Sequence, residues 1–278
     1  MSYQTMELTT TGPVATVTLN RPEVFNAFND VAINEVGDCV RVVGDRDDIR
    51  VIVLAARGKC FCAGADLDWM RRMAELSYQA NLDDAYRLAS MLRTIYTCPK
   101  PVIARVQGDA FGGGIGVISA SDIAVAIESA SFSLSEVKLG LIPATISPYV
   151  IRAIGVRAAR RYFVTAERFA AAEAHRIGLV HVVVTADQLD ATVQSIVAAI
   201  SQNGPHAVTE TKRLIHDIDG RLFSEEVLRD TAERIARIRA SEEAREGVRA
   251  FLEKRSPAWH KNGPGSTRPN SGRANQSS

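Results

Sequence analysis

The sequence carries no excess of charge of either sign: among its 278 residues, 33 Lys+Arg face 32 Asp+Glu, a formal net charge of +1. That balance excludes a chain held to nucleic acid or to an anionic membrane mainly by electrostatics. Long apolar runs are missing as well. Val51–Ala56, closed off by Arg50 and Arg57, falls far short of the roughly 20 residues that cross a bilayer. The N-terminus, MSYQTMELTT, has no basic stretch followed by an apolar block, so no secretory signal is expected. Cysteine is scarce: Cys39, Cys60, Cys62 and Cys98 include no Cys-x-x-Cys pair, and the five histidines fall late in the chain without ligand-like spacing to them. Buried or half-buried thiols in a reducing compartment fit better than a disulfide framework or zinc site. His-Glu-x-x-His, a P-loop and a Gly-x-Ser-x-Gly elbow are absent, and Gly-x-Gly-x-x-Gly is not met from Gly112 or Gly114. Metalloprotease, nucleotide-binding and serine-hydrolase readings lose their signatures. What is present is globular, with 46% hydrophobic and 23% charged residues. A soluble, cytoplasmic protein without metal or redox cofactor is expected.

The apolar pattern orders the chain. Ala15, Val17 and Leu19 alternate with Thr16, Thr18 and Asn20, the mark of a half-buried strand. Gly12-Pro13 supplies a turn, so residues 7–11 and 14–20 read as a hairpin. Ile33, Val36, Val40 and Val43 recur at helical spacing behind a cap at Asn29 or Asp30. Val51–Ala56 reads as a strand buried on both faces, and residues 57–66 as a loop. Leu82, Ala85, Ala89, Leu92 and Tyr96 mark a helix stopped at Cys98-Pro99. Further strands are expected at 102–106, 122–127 and 179–184. This alternation implies parallel pairing with crossover helices. Helices are then expected over 187–201, 205–217, 224–240 and 241–254. An α/β core (1–200) therefore precedes a helical region (201–256). The Gly-, Ser-, Asn- and Pro-rich end (257–278) reads as a tail without fixed structure.

Two segments place small residues where a strand gives way to a helix: residues 58–67 (GKCFCAGADL) and 108–114 (GDAFGGG). Small residues let a ligand approach the main chain, and helix N-termini leave N–H groups unpaired. Side by side they would make an oxyanion site. Taken singly, each reads more simply as a tight turn that needs glycine. Glu136 follows an apolar stretch (Phe132, Leu134). It reads either as a carboxylate in a dry pocket, able to exchange protons near neutral pH, or as an exposed residue that starts a turn.

Taken in order, Asn20-Arg21-Pro22…Asn26-Ala27, Ala63-Gly64-Ala65-Asp66-Leu67, Gly108-x-Ala110-x-Gly112-Gly113-Gly114, Asp122-Ile123-Ala124, Ser135 to Pro143 (SEVKLGLIP), Ala171-Ala172-Glu173-Ala174 and Ile177-Gly178-Leu179-Val180 resemble the crotonase (enoyl-CoA hydratase/isomerase) superfamily over roughly residues 5–256. The resemblance implies a spiral of β-β-α units with a C-terminal helical trimerisation region, usually a hexamer of two trimers. It implies stabilisation of a thioester enolate on coenzyme A, which is part of the substrate. By motif, the backbone donors fall on Ala63 and Gly113 and the acid/base carboxylate on Glu136. Ala65, Asp66 and Leu67 would flank the adenine, Asn26 and Ala27 the pantetheine and phosphate path, with Phe251 and Lys254 reaching from a neighbouring subunit. The family's hydratases carry another glutamate two residues after the glycine triplet. Here that position is Gly116.

A narrower resemblance rests on Asp66-Leu67-Asp68-Trp69-Met70-Arg71-Arg72-Met73 and the string LSEVKLGLIPATISPYV, residues 134–150. These are similar to bacterial methylglutaconyl-CoA hydratases and relatives acting on isohexenyl-glutaconyl-CoA. Such substrates carry a distal carboxylate, which could stand in for the missing glutamate. Arg71 and Arg72 are candidates for its counter-ion, although both read more simply as a solvated helix face. A single glutamate also suits an isomerase moving a double bond from the 3- to the 2-position. Binding of RNA through a lysine-rich helix, known among relatives, is not expected: residues 29–45 hold no lysine. A non-catalytic binder of coenzyme A esters is opposed by the presence of Glu136.

Overall fold

The computed structural model describes residues 3–262. A hairpin, β1 (Met6–Thr11) and β2 (Val14–Leu19), opens the chain through Gly12, whose φ of +55° suits glycine. Helix α1 (Asp30–Gly44) follows, with Asn29 accepting from the Ala32 N–H at 2.9 Å; of the two expected caps, Asn29 is the one used. Its Ile33, Val36, Val40 and Val43 are all buried.

Three strand pairs come next: β3 (Val51–Ala56) with β4 (Cys60–Cys62), β5 (Val102–Val106) with β6 (Asp109–Phe111), and β7 (Ile123–Ile127) with β8 (Ser131–Ser133). Between the first two pairs lie α2 (Leu67–Ala74) and α3 (Tyr78–Thr97), and between the second and third α4 (Gly113–Ala120). The first strand of each pair joins one sheet and the second joins another. The large sheet runs β1-β2-β3-β5-β7-β10, where β10 is Val182–Val184; the small one runs β4-β6-β8-β9, where β9 is Phe169–Ala170. Pairing among β3, β5 and β7 is parallel, as it is among β4, β6 and β8. The chain therefore winds as a spiral of β-β-α turns. Every residue of β3 is buried, as a continuous apolar strand requires.

The small sheet is the main departure from the sequence reading. Its strands have two or three residues, too few for period-2 alternation to register, so residues 60–62 read as loop. The strand expected over 179–184 covers only its last three residues, because Gly178 (φ +86°) turns the chain after α6 (Ala171–Arg176). In α3 only Leu92 of the expected stripe is buried, with Ala89 and Tyr96 half-buried and Met91 and Ile95 buried in addition. Ala85 and Leu82 are exposed, and Asp84 is buried against Trp69 instead.

Helix α5 (Ser147–Thr165) bends at Gly155, and α7 (Leu189–Ser201) lies against the large sheet. The C-terminal helices are α8 (Pro205–Ile218), α9 (Glu225–Arg239) and α10 (Glu242–Leu252). Lys212 of α8, buried, reaches Asp122 Oδ2 at 2.6 Å and the Lys100 carbonyl at 3.2 Å, pinning α8 to the end of β5. Ile215, Ile235, Val248, Phe251 and Leu252 on these helices are exposed. Ala258–Asn262 form a 3-10 turn, with Trp259 Nε1 donating to the Gln202 carbonyl, so the first residues of the expected tail are structured. The rest of that tail, 263–278, lies outside the described residues. Among the described residues no helix is long and apolar enough to cross a membrane.

Candidate active site

Three consecutive turns of the spiral bring together the loops after β4, β6 and β8. In the first, Gly64 (φ +93°) reverses the chain ahead of α2. Phe28 grips it as a parallel bridge: the Phe28 N–H donates to the Gly64 carbonyl at 2.7 Å, and the Asp66 N–H to the Phe28 carbonyl at 2.9 Å. Asp66 caps α2, its Oδ1 accepting from the Asp68 and Trp69 N–H groups while Oδ2 takes the Arg21 guanidinium at 2.8 Å. Burial raises the Asp66 pKa, but Arg21 and the two amides outweigh it and hold the carboxyl below its ordinary value.

In the second loop, Gly112 takes φ +46°, ψ −114°, a conformation that needs glycine. Its N–H donates to the Ser133 carbonyl, and α4 begins at Gly113. The two loops nearly touch. A methyl on Gly64 would lie 3.3 Å from the Phe111 carbonyl oxygen, and one on Gly114 only 2.8 Å from both Cys62 Cβ and the Cys62 carbonyl oxygen. Glycine is therefore required by close approach as well as by turn geometry.

The third loop delivers Glu136, first residue of a 3-10 turn ended by Gly140 at φ +72°. Its carboxyl faces the gap: Oε1 would lie 3.1 Å from a methyl on Gly112. Oε2 is buried and has no hydrogen-bond partner among the described residues. Burial raises its pKa above the ordinary 4.5, against a smaller opposing effect of its own backbone N–H. Of the two sequence readings, the dry carboxylate is the one found.

The donor positions need one correction. The Ala63 N–H donates to the Phe25 carbonyl at 3.0 Å, so in this structure it is spent inside the protein. The N–H of Ala65, an exposed residue, makes no hydrogen bond among the described residues, and neither does that of Gly113. Ala65 and Gly113 thus carry unpaired amides in the two loops that meet at Gly112, which the Glu136 carboxyl faces.

Other expected contacts divide. Asn26 is buried, and its side chain is fully engaged: Oδ1 accepts from the Arg21 N–H at 2.9 Å, and Nδ2 donates to the Arg57 and Cys60 carbonyls at 2.8 and 2.9 Å. It braces the loops and has no N–H left for a ligand. Ala27 is buried, its carbonyl held by Arg21. Leu67 stands exposed beside Ala65. Phe251, 82% exposed, and Lys254 lie at the end of α10 on the C-terminal helices, away from the three loops. Arg71 is paired with Asp68 at 2.5 Å and Arg72 with Asp30 at 2.9 Å, all on the surface, which favours the solvated-face reading. The cysteines are all buried and free. Burial pushes the Cys60 thiol up to about 11 and Cys62 up to about 12, so neither is a nucleophile at neutral pH.

Sequence reading missed three contributors. Arg21 ties the 25–28 segment to Asp66, although it stood in a quoted motif. The Phe28 ring lies 3.2 Å from where a Cβ on Gly113 would be. Ile146 meets Gly116, as described below. Each acts across tens of residues of sequence, so no local pattern marks it.

Unpaired amides and a half-buried carboxyl in glycine-lined loops are groups that can stabilise developing negative charge and exchange a proton. The chain matches the enoyl-CoA hydratase/isomerase family over residues 9–262 and belongs to it. It is similar to a crystal structure of an enoyl-CoA hydratase from Shewanella pealeana, with 46% identity and a TM-score of 0.90, covering 92% of this chain and 96% of that one. A structure of Pseudomonas aeruginosa AtuE matches at 33% identity and a TM-score of 0.89, over 92% and 99% of the two chains. The mevalonyl-coenzyme A hydratase sidH of Aspergillus fumigatus is 34% identical over 247 residues, 87% of this chain and 90% of that protein. The crotonase fold and a general enoyl-CoA hydratase activity follow from this membership.

Proposed function

We propose that the protein adds water across the α,β double bond of a branched glutaconyl-CoA thioester such as methylglutaconyl-CoA, with Glu136 as the sole protein acid/base. The Glu136 carboxyl carries this reading: its Oε1 faces Gly112, and its Oε2 is buried and unpartnered among the described residues. The Ala65 and Gly113 amides receive the thioester oxygen. Glu136 takes a proton from a water whose oxygen bonds to the β-carbon. The π electrons move through the α-carbon onto the thioester oxygen, where the amides stabilise the enolate. The enolate then collapses, and the proton held by Glu136 passes to the α-carbon. One carboxylate thus closes the cycle. The amides act on charge absent from the ground state, so they lower the barrier selectively; each contributes about 3 kcal/mol.

The acyl assignment is supported by the residue 134–150 string and by position 116, which supplies no second carboxylate. In this reading the substrate's distal carboxylate orders the water. Ala27, Asp66 and Leu67 lie along the coenzyme A path. A trimer or hexamer joined through α8–α10 would bring Phe251 and Lys254 to a neighbouring subunit's ligand, and the exposed apolar residues of those helices support that assembly. The protein acts in the cytoplasm and uses no cofactor beyond the coenzyme A of its substrate.

Gly116 also favours a second reading, isomerisation of a 3-enoyl-CoA, since one base suffices to move a proton between two carbons. Incubation with methylglutaconyl-CoA, crotonyl-CoA and a 3-enoyl-CoA separates them. Water addition favouring the carboxylated substrate is expected. Equal efficiency on methylglutaconyl-CoA and crotonyl-CoA removes the distal carboxylate from the mechanism, and 2-enoyl product as the main activity installs the isomerase. Glu136→Gln should bind coenzyme A esters nearly normally and lose turnover; retention of most of the rate would rule out its role.

A further inference from the structure

Gly116 sits one turn beyond Gly112 on α4, its N–H donating to the Gly112 carbonyl at 3.1 Å. A side chain at 116 would leave the first turn of α4 toward Ile146, just ahead of α5. That space is filled. A Cβ on Gly116 would stand 2.5 Å from Ile146 Cγ2, 3.1 Å from Ile146 Cβ and 3.4 Å from Leu92 Cδ2. Ile146 is buried, and it precedes α5 at the end of the loop that Glu136 begins. Rotating χ1 can move Cγ2 but not the Ile146 Cβ, which at 3.1 Å must itself give way, and a β-branched side chain has few rotamers in any case. Leu92 is fully buried behind it. The loop that delivers the carboxylate therefore also delivers an apolar plug against position 116 of α4.

We infer that Ile146 is a specificity-determining residue: its side chain closes position 116 to any polar group, keeps the site to one carboxylate and makes turnover depend on a polar group brought by the acyl chain. This deepens the proposed hydratase reading and rests on it. The plug is chemical as well as steric. A buried carboxylate pressed against Ile146 and Leu92 would find no hydrogen-bond partner there and would resist ionisation.

The test compares wild type, Gly116→Glu, Ile146→Gly and the double variant, measuring the ratio of kcat/KM for methylglutaconyl-CoA to that for crotonyl-CoA. The double variant should hydrate crotonyl-CoA at least about tenfold faster than wild type or either single variant, collapsing the ratio. A gain in Gly116→Glu alone equal to that of the double, or no gain in a folded double variant, overturns the inference. If the double variant does not fold, melting of Gly116→Ala, Ile146→Ala and their combination decides. Gly116→Ala should lower Tm by about 5 °C, and the same change in the Ile146→Ala background should cost much less. Additive shifts overturn the inference. Failure of the hydratase reading is seen separately, as absent hydration in wild type or full turnover in Glu136→Gln.

Discussion

Gly114→Ala distinguishes a glycine needed for close approach from one that merely permits a turn. Gly114 is helical, so alanine should stabilise α4 by about 0.5–1 kcal/mol through the reduced entropy of the unfolded chain. Opposing this, the new methyl would meet the Cys62 carbonyl oxygen and Cβ, each at 2.8 Å. Neither can rotate away, because one is main chain and the other is fixed to it. Overpacking of this kind costs about 1–3 kcal/mol, so the clash wins by about 1–2 kcal/mol. Tm should fall by about 2–8 °C at this chain length. The strain also separates the loops that carry Ala65 and Gly113. A displacement approaching 1 Å costs about 10²-fold in rate, so kcat should fall about 10- to 100-fold, with KM changing less. Gly37→Ala in α1 is the control: its methyl would lie 3.6 Å from Met91, an ordinary contact, and should raise Tm by about 1–3 °C. Calorimetry, together with the decay of conjugated-thioester absorbance, reads both quantities. Should Gly114→Ala match Gly37→Ala in stability and keep wild-type kcat, the close approach of the loops would not matter to the site.

Glu136 must be ionised to act as base, so the acid limb of kcat/KM should lie above pH 4.5, the ordinary value from which burial raises it. The folded state binds the extra proton above pH 4.5, so this residue's contribution to stability falls as pH rises through that window. Glu136→Gln should therefore gain Tm relative to wild type on going from pH 4.5 toward neutrality; a constant difference would contradict the burial argument. Asp66→Ala removes the α2 cap and the Arg21 partner and should cost about 1–3 kcal/mol in denaturant unfolding, with Asp66→Asn costing less. Because the Asp66 carboxyl is held below 3.8, the ionic part of its stabilisation is present above that value and should fade as pH falls below it. Lys212→Met leaves Asp122 with the Val102 N–H alone and should cost about 3 kcal/mol, whereas replacing both partners by apolar residues should cost less.

How far the sequence was legible follows from the range of each interaction. The central strands and α1 show in apolar runs and helical spacing because each buries a face against one neighbour. The helices after residue 187 have boundaries within about two residues of those expected, since caps such as Ser224 and Ser241 are local chemistry. The small sheet was not legible: its two- and three-residue strands derive their order from the spiral, not from their own pattern. At the site, the motifs located the loops that meet at Gly112 but did not show that the Ala63 amide is bonded within the protein. Nor does any local signal reveal that Ile146 would cross to Gly116, thirty positions earlier.

Why the Ala65 amide and not that of Ala63 is left unpaired comes down to the direction of each N–H. In a parallel bridge the gripped residue is bonded through its neighbours: Phe28 uses the Gly64 carbonyl and the Asp66 N–H, leaving the N–H of Ala65 itself directed away from Phe28. Gly64, at φ +93°, breaks the regular alternation between 63 and 65. The amide before it therefore serves the Phe25 carbonyl, and the amide after it is free. Side-chain substitution cannot remove either donor, but replacing one amide by an ester does. An ester in place of the Ala65 N–H should lower kcat by about 10²–10³-fold while the protein stays folded. The same change at Ala63 should lower stability by about 1 kcal/mol with a far smaller effect on kcat. Exchange of these two outcomes would return the donor to Ala63 and would mean that the Phe25 contact opens when substrate binds.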